Sequence, residues 1–342
     1  MLSPRPRDFA RAAPGDTTLR CLVVVDAEEE FDWSRDFSRQ NVGVTSMRSI
    51  GRVQALFDRV GITPVYVVDY PVVSQPDGYQ PLKEIHAAGR CLIGAHLHPW
   101  VNPPFAEAVN RRNSFPGNLE RGLEAAKLRV LGQEIGERFG VEPTIYKAGR
   151  YGVGPHTAEI LEEQGYQVDV SVCPHVDFSA EGGPDFRAFT PHPYWFGRRR
   201  RLLELPMTVG FAGALSRWGW ALHGATSHPR AARLHLGGVL ARLRLMEKLW
   251  LSPEGYDTGL HRRLVRAQVR NRLTTFTFAF HSPSVVPGHT PYVQTERDLD
   301  EFLARCRAFF EFFFDEMGGR PTTPAEVRTI LAETPEEERV DR

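Results

Sequence analysis

The sequence lacks the features that mark secreted or membrane-spanning proteins. Its four cysteines, Cys21, Cys91, Cys173 and Cys306, are widely scattered over 342 residues, which favours reduced thiols over a disulfide framework. No run of about 20 apolar residues is present, so we expect no transmembrane helix. Residues 1–16 contain arginines and prolines but no apolar core, so we expect no signal peptide. These absences together predict a cytoplasmic protein.

The chain also has no overall excess of charge. Its 42 basic side chains balance 42 acidic ones, which argues against a generic binder of nucleic acids. The charge is nevertheless uneven, because residues 197–272 contain fifteen Lys and Arg against four Asp and Glu. A content of 42% hydrophobic and 25% charged residues is ordinary for a globular protein. The length suits one large α/β barrel or two medium domains.

Short apolar runs alternate with amphipathic stretches along most of the chain. The runs predict strands at 21–26, 63–68, 92–98, 144–147, 168–172, 202–209 and 274–281. Helical periodicity predicts helices at 46–60, 82–88, 118–139, 155–164 and 296–317, with Asn118 as the cap of the third, and a capping box at Thr323 predicts a short terminal helix. Seven strand–helix units indicate a parallel barrel or a doubly wound sheet.

The remaining segments set the predicted domain boundaries. Residues 1–17 form an N-terminal arm, 18–320 the α/β domain, and 321–342 a short C-terminal helix with a charged tail. Residues 211–270 interrupt the alternation and are interpreted as a basic helical insertion.

Two imidazoles follow the third predicted strand. In the segment Ile93 to Trp100, His96 and His98 are two residues apart, and extended backbone places such side chains on one face, roughly 7 Å apart. Two imidazoles on one face are half of a metal site. Buried histidines that bond only to the backbone are common, so the pair needs support from other segments.

An acidic cluster follows the first predicted strand. Asp26, Glu28, Glu29, Glu30 and Asp32 lie within seven residues directly after an apolar run. Clustered carboxylates repel one another unless a cation relieves the repulsion. Asp26 and Glu28 share a face if the chain stays extended. We interpret the cluster as a metal or general-base site, with a solvated loop as the alternative.

Cations and a further histidine follow two other strands. The segment Tyr146 to Gly152 contains Lys147 and Arg150 within a glycine-bounded turn. Either cation is suited to holding a carboxylate ionised or to binding an oxyanion; the alternative is a salt bridge at the rim. His281 ends the last strand, at the same edge as Asp26, and is interpreted as a general acid.

The order of these motifs resembles the polysaccharide deacetylase family, which has the NodB homology fold. The resemblance covers roughly residues 21–318. It rests on the acidic strand end, the Gly-x-His pair, the Gly-Arg-Tyr-Gly turn, the Asp-Val-Ser-Val strand, the Leu-Pro-Met segment and the late His-Ser. It implies a distorted (β/α)7 barrel, related to TIM barrels, and a metal-dependent hydrolase that removes N-acetyl groups from an amino sugar.

The resemblance also implies roles for particular residues. Asp26 corresponds to the catalytic base, His96 to the first ligand histidine and His281 to the catalytic acid. Lys147 or Arg150 corresponds to the arginine that orients the base, and Asp169 or Asp177 to the acid that partners the late histidine. The implied ligands of a divalent metal are His96, His98, Glu28 and Asp26. Zinc is the expected metal, with cobalt, nickel and manganese as alternatives.

The chain departs from the family pattern at two positions. Ala27 stands where the family has a second adjacent acid, so Glu28 takes that place. Trp100 stands four residues after His96, where the family has its second histidine, so His98 takes that place. Two other hypotheses therefore stay open: a catalytically inactive relative that binds carbohydrate or a partner, and a hydrolase of another C–N bond of the ureide type.

Aromatic and basic residues suggest the substrate and its surroundings. Trp33, Trp100 and Tyr151 are candidate platforms on which a sugar stacks. The arginines of the basic insertion suit solvated helices or an anionic partner, such as the inner membrane face with a lipid-linked glycan, or a nucleotide-linked sugar. Without a nucleic-acid motif, nucleic acid ranks last among partners.

Overall fold

A computed structural model describes residues 16–32, 34–216, 219, 242–243 and 245–333. The strands are β1 (Arg20–Ala27), β2 (Val65–Val68), β3 (Leu92–Leu97), β4 (Ile145–Ala148), β5 (Val168–Asp169), β6 (Tyr194–Phe196), β7 (Leu202–Glu204), β8 (Val209–Ala212), β9 (Glu247–Trp250), β10 (Thr275–His281) and β11 (Arg320–Pro321). The helices are α1 (Gly51–Arg59), α2 (Tyr70–Ser74), α3 (Pro76–Ala87), α4 (Arg121–Phe139), α5 (Thr157–Glu163), α6 (Thr258–Arg270), α7 (Glu296–Glu311) and α8 (Pro324–Ala332).

The main sheet has the order β10-β1-β2-β3-β4-β5-β7-β6, with β11 beside β1. Its strands run parallel except β6, which pairs antiparallel with β7. Irregular backbone hydrogen bonds then link the far side of the sheet to β10. Leu251 donates to the carbonyl of Thr208 at 2.9 Å and accepts from Ala279 at 3.2 Å. The predicted distorted barrel of parallel strands is therefore confirmed.

The strands are as apolar as their sequences predicted. Seven of the eight residues of β1 are buried, as expected of a strand that is covered on both faces. On the outside of β10, Phe278 stacks on Phe309 of α7 with ring centroids 4.7 Å apart. Phe280 contacts both Phe57 of α1 and Phe302 of α7. This aromatic packing fixes the strand that ends at His281.

Some predicted elements are wrong in extent. The strand predicted at 168–172 stops at Asp169, because the N–H groups of Ser171 and Val172 bond to carboxylates rather than to a neighbouring strand. Helix α4 is capped by Glu120, whose side chain accepts from the N–H of Leu123, and not by Asn118. The antiparallel strand β6 was not predicted. The capping box at Thr323 and Glu326 is confirmed.

The segment interpreted as a helical insertion is bounded differently. Its described ends form an antiparallel pair of strands, β8 and β9, rather than helices. Helix α6 falls within the predicted insertion, but it contacts β8 through Gln268, whose amide donates to the carbonyl of Phe211, and it leads into β10. Most of the arginine-rich stretch between β8 and β9 lies outside the described residues, as do most of the N-terminal arm and the charged tail.

All four cysteines are free and buried, as predicted for reduced thiols. Among the described helices, none is both long and apolar enough to cross a membrane.

Candidate metal and catalytic site

Four predicted residues meet at the carboxyl ends of the parallel strands. Asp26 of β1 is in register with His281 of β10. His96 of β3 is in register with Lys147 of β4. Ligands and catalytic groups of α/β barrels gather at this edge because every parallel strand delivers its last residues there. The structure therefore brings the two predicted histidine segments and the acidic segment into one site.

Glu28, His96 and His98 form the predicted metal cluster. One oxygen of Glu28, Oε2, lies 3.4 Å from Nε2 of His96 and 3.6 Å from Nε2 of His98. One ligand atom of each residue lies within 4.8 Å of the others, and all three residues are buried. Donors about 2.1 Å from a tetrahedral zinc ion are about 3.4 Å apart. The three residues therefore fit a divalent metal ion.

In both histidines, the ring nitrogen Nδ1, which does not face Glu28, contacts another hydrogen-bonding group. Nδ1 of His96 lies 3.1 Å from the carbonyl oxygen of Lys147, so Nδ1 carries a proton and Nε2 has a lone pair for a metal. Burial lowers the pKa of His96 and lowers that of His98 to about 4, so both rings are neutral at neutral pH. A Cβ on Gly149 would stand 2.5 Å from His98, so only glycine admits this ring position.

Asp26 is paired with Lys147. Nζ of Lys147 lies 2.7 Å from Oδ1 and 2.6 Å from Oδ2 of Asp26, and both side chains are buried. Burial alone would raise the pKa of Asp26, but the charge of Lys147, aided by that of His281, lowers it. Both Asp26 oxygens are bonded to the ammonium, so it is Glu28 that faces the two imidazoles. Asp26 is thus held ionised beside the metal cluster.

Arg150 does not orient Asp26. Its guanidinium bonds to Ser114 Oγ at 2.7 Å and to Glu181, and lies over the ring of Phe115. The choice between the two predicted cations therefore falls on Lys147. Arg150 and Tyr151 both have left-handed backbone, with φ of 54° and 60°, a conformation that costs non-glycine residues about 1–2 kcal/mol. Such strain is typical of functional turns.

The acid that is hydrogen-bonded to His281 is Glu254. The prediction that Asp169 or Asp177 has this role is wrong. Nδ1 of His281 lies 2.8 Å from Oε2 of Glu254, while its Nε2 lies 3.8 Å from Asp26. Burial alone would lower the pKa of His281, but the charges of Glu254 and Glu28 raise it to about 10. His281 is therefore protonated at neutral pH, and its other nitrogen faces Asp26.

The two rejected acids have other environments. Asp169 is buried, accepts from Ser171 and lies beside Glu204 in the next strand, and burial raises its pKa to about 6. Asp177 pairs with Arg187 nearer the surface. Since Glu254 lies within the segment that the sequence indicated as an insertion, its sequence context gave no sign of a catalytic partner.

Trp100 is not a sugar platform. It is only 1% exposed, stacks on His98 with centroids 4.3 Å apart, and contacts Phe31 and Phe37. A ring packed on this many neighbours has no face to offer a sugar. Its indole N–H donates to Glu29 at 2.8 Å. Glu29 is a further site residue that the sequence indicated only as a member of the acidic cluster.

A cavity of about 590 Å³ opens onto the cluster. Tyr151 lines it, stacked on Phe178 with centroids 5.4 Å apart and at an angle to Trp250. Tyr256 and Tyr292 also line this cavity. Trp33, the third predicted sugar platform, lies outside the described residues.

Comparisons with known proteins connect this geometry to a fold family. Neither a protein-family model nor a curated protein matches the sequence. Solved structures do match. One from Pseudomonas aeruginosa PAO1, a "probable polysaccharide deacetylase", has a TM-score of 0.53 and 12% identity, over 96% of this chain and 93% of that one. The fold is therefore that of NodB-like polysaccharide deacetylases.

Two further structures share the fold. PuuE allantoinase has a TM-score of 0.52 and 13% identity, over 97% of this chain and 95% of that one. A 4-alpha-glucanotransferase from Thermococcus litoralis has a TM-score of 0.52 and 11% identity, over 92% of this chain but only 40% of that one. At such identities the likeness defines the fold, and the activity has to be argued from the site.

Proposed function

We propose that this protein is a metal-dependent hydrolase that removes N-acetyl groups from an amino sugar in a polysaccharide or a glycan precursor. The observation that carries the proposal is the three-residue cluster of Glu28, His96 and His98, flanked by an ionised Asp26 and a protonated His281. Amide hydrolysis needs an electrophile, a base and an acid within reach of one carbonyl. This site contains groups suited to all three roles.

Glu28, His96 and His98 would hold the metal, for which zinc is the first candidate and cobalt, nickel or manganese the alternatives. Their atoms suit zinc because neutral imidazoles and a carboxylate are its common ligands in catalytic sites. When bound, a divalent ion supplies Lewis acidity to the acyl carbonyl and lowers the pKa of water.

The protein's own groups then move the protons. Asp26 takes a proton from the attacking water, while Lys147 keeps the carboxylate ionised and oriented until that moment. The water oxygen bonds to the acetyl carbon, and the C–N bond breaks. His281, protonated and held by Glu254, donates a proton from Nε2 to the departing nitrogen. The products are acetate and a free amine. Tyr151, which lines the cavity, would contact the sugar ring.

We further propose that the protein acts on its substrate in the cytoplasm. A cytoplasmic location is supported by four free, buried cysteines, and it favours lipid- or nucleotide-linked precursors over finished polymers. An anionic membrane surface remains our proposed docking partner for the arginine-rich stretch between β8 and β9, on its sequence charge alone.

The first test measures metal and product together. Protein freed of metal with a chelator should take up about one equivalent of zinc, and the loaded protein should release acetate from N-acetylated oligosaccharides or nucleotide-linked N-acetyl sugars. His96→Ala should weaken zinc binding by about 100-fold or more, because it removes one of three protein ligands. The matched control is His86→Ala, which changes a histidine that bonds a backbone carbonyl away from the site.

Two results would contradict the proposal. Wild-type protein that binds no zinc, cobalt, nickel or manganese would favour a non-catalytic binding protein. Release of ammonia or urea from ureides, without acetate release from any N-acetyl sugar, would favour hydrolysis of a different C–N bond.

A second prediction concerns Glu254. Glu254→Gln should lower kcat about 10- to 100-fold. A positioned general acid contributes about 10²–10⁴-fold to the rate, and the variant should lose only part of this because His281 itself is unchanged. Glu254 raises the pKa of His281, so without its charge the pKa falls and the imidazolium is lost at lower pH. The alkaline limb of the kcat profile should therefore move to lower pH. An unchanged limb would show that Glu254 does not act through His281.

A further inference from the structure

Glu29 bonds to two groups beside the metal cluster. Its Oε2 lies 2.7 Å from Nδ1 of His98, and its Oε1 accepts the indole N–H of Trp100 at 2.8 Å. The carboxylate is completely buried. The backbone N–H of Glu29 donates to Asp69 at 2.7 Å, which fixes the residue at the start of its loop. Glu29 therefore contacts the ring nitrogen of His98 opposite to the one that faces Glu28.

We propose that Glu29 is a positioning residue that selects the metal-binding tautomer of His98. This inference rests on the metal site of the proposed function. A carboxylate that accepts from Nδ1 keeps the ring proton on that nitrogen, which leaves a lone pair on Nε2. That lone pair faces Glu28, 3.6 Å away, where the ion would be held.

Trp100 contributes to the same arrangement. Its ring stacks on His98 at an interplanar angle of 24° and so fixes the plane of the imidazole. Its N–H occupies the second oxygen of Glu29, so the carboxylate cannot rotate without losing a buried hydrogen bond. The tryptophan at the position of the usual second histidine thus acts through Glu29 rather than as a ligand.

Glu29 faces two hydrogen-bond donors, so this position requires a side chain with two acceptor atoms. Both the indole N–H and the Nδ1–H of His98 need an acceptor, and the two carboxylate oxygens of Glu29 lie against these two nitrogens. The amide of glutamine has the same shape but supplies one acceptor and one donor. If the indole keeps the amide oxygen, the NH₂ group faces Nδ1 and favours the tautomer with the proton on Nε2. That tautomer cannot bind a metal through Nε2.

The test is the zinc affinity of full-length Glu29→Gln, measured by competition with a chromophoric chelator. We expect zinc to bind about 10- to 100-fold more weakly than in wild type, the range for loss of an outer-shell partner. The matched control is Asp32→Asn, which changes an exposed acid of the same loop that bonds to its neighbours Ser34 and Arg35. The control should stay within about twofold of wild type.

A spectroscopic signature separates positioning from general loosening. In zinc-loaded wild type, NMR should show a slowly exchanging proton on Nδ1 of His98, and this signal should shift or vanish in Glu29→Gln. Unchanged affinity together with an unchanged signal would overturn the inference while the metal site stands. Wild type without zinc affinity would overturn the proposed function instead.

A second variant, Trp100→Phe, tests the same arrangement if Glu29→Gln does not fold. Trp100→Phe keeps an aromatic ring against His98 but removes the indole N–H. Zinc affinity should fall by several-fold, and the Nδ1 signal should broaden or shift. If both stay as in wild type, Glu29 does not need its second partner and the proposed arrangement is wrong.

Discussion

Replacing Asp26 with asparagine should lower kcat by about 10³-fold, within the 10²–10⁴-fold range that a positioned general base contributes. The amide keeps the shape of the carboxylate, and its oxygen can still accept from Lys147. It cannot take a proton from water, because an amide oxygen is far too weak a base. Zinc affinity should stay within a few-fold, since Glu28, His96 and His98 are unchanged. Steady-state acetate release and chelator competition measure the two quantities.

The control for this prediction is again Asp32→Asn, which changes an exposed carboxylate of the same loop. It should retain wild-type turnover. Full activity in Asp26→Asn would remove Asp26 from the mechanism. Loss of zinc binding in parallel with activity would instead make Asp26 a metal ligand, which contradicts the assignment of Glu28 as the carboxylate of the cluster.

Local sequence patterns were sufficient for the strands that form the site. The apolar runs before Asp26, His96 and His281 each predicted a buried strand, and parallel topology requires such strands to deliver their next residues to one edge. The period of two along a strand placed His96 and His98 on one face. Convergence of the acidic, histidine and lysine segments follows from these two rules, which is why it was predictable.

The identity of side-chain partners was not predictable in the same way. Lys147 rather than Arg150 reaches Asp26 because the chain turns sharply after β4, with left-handed backbone at Arg150. Glu254 reaches His281 only because an irregular segment that includes Leu251 closes the barrel beside β10. Trp100 is buried because Phe31 and Phe37 fold over it. Each contact depends on a loop conformation or a long-range closure, for which a single sequence carries no periodic signal.

Lys147→Met should lower the free energy of unfolding of the metal-free protein by about 3–5 kcal/mol. Methionine has similar length and fills the same space, but it removes the ammonium bonded to both Asp26 oxygens and leaves only the more distant His281, 3.8 Å away, as a cation beside the buried carboxylate. Both partners are buried, and the ammonium bonds to both carboxylate oxygens. Removing one partner of a buried ion pair lowers the free energy of unfolding strongly, because the other charge stays buried without it. Replacing both partners by apolar residues changes the free energy of unfolding much less. Urea denaturation in the presence of a chelator measures the loss.

The double variant Lys147→Met with Asp26→Asn tests the cause, because it removes both charges. It should recover a substantial part of the lost stability, since a neutral amide is much cheaper to bury than a carboxylate. Arg121→Met serves as the matched control: it breaks an ion pair with Glu163 in which both side chains are well exposed, and it should change the free energy of unfolding little. A double variant no more stable than Lys147→Met alone would show that lost packing, rather than an unpaired charge, destabilises the site.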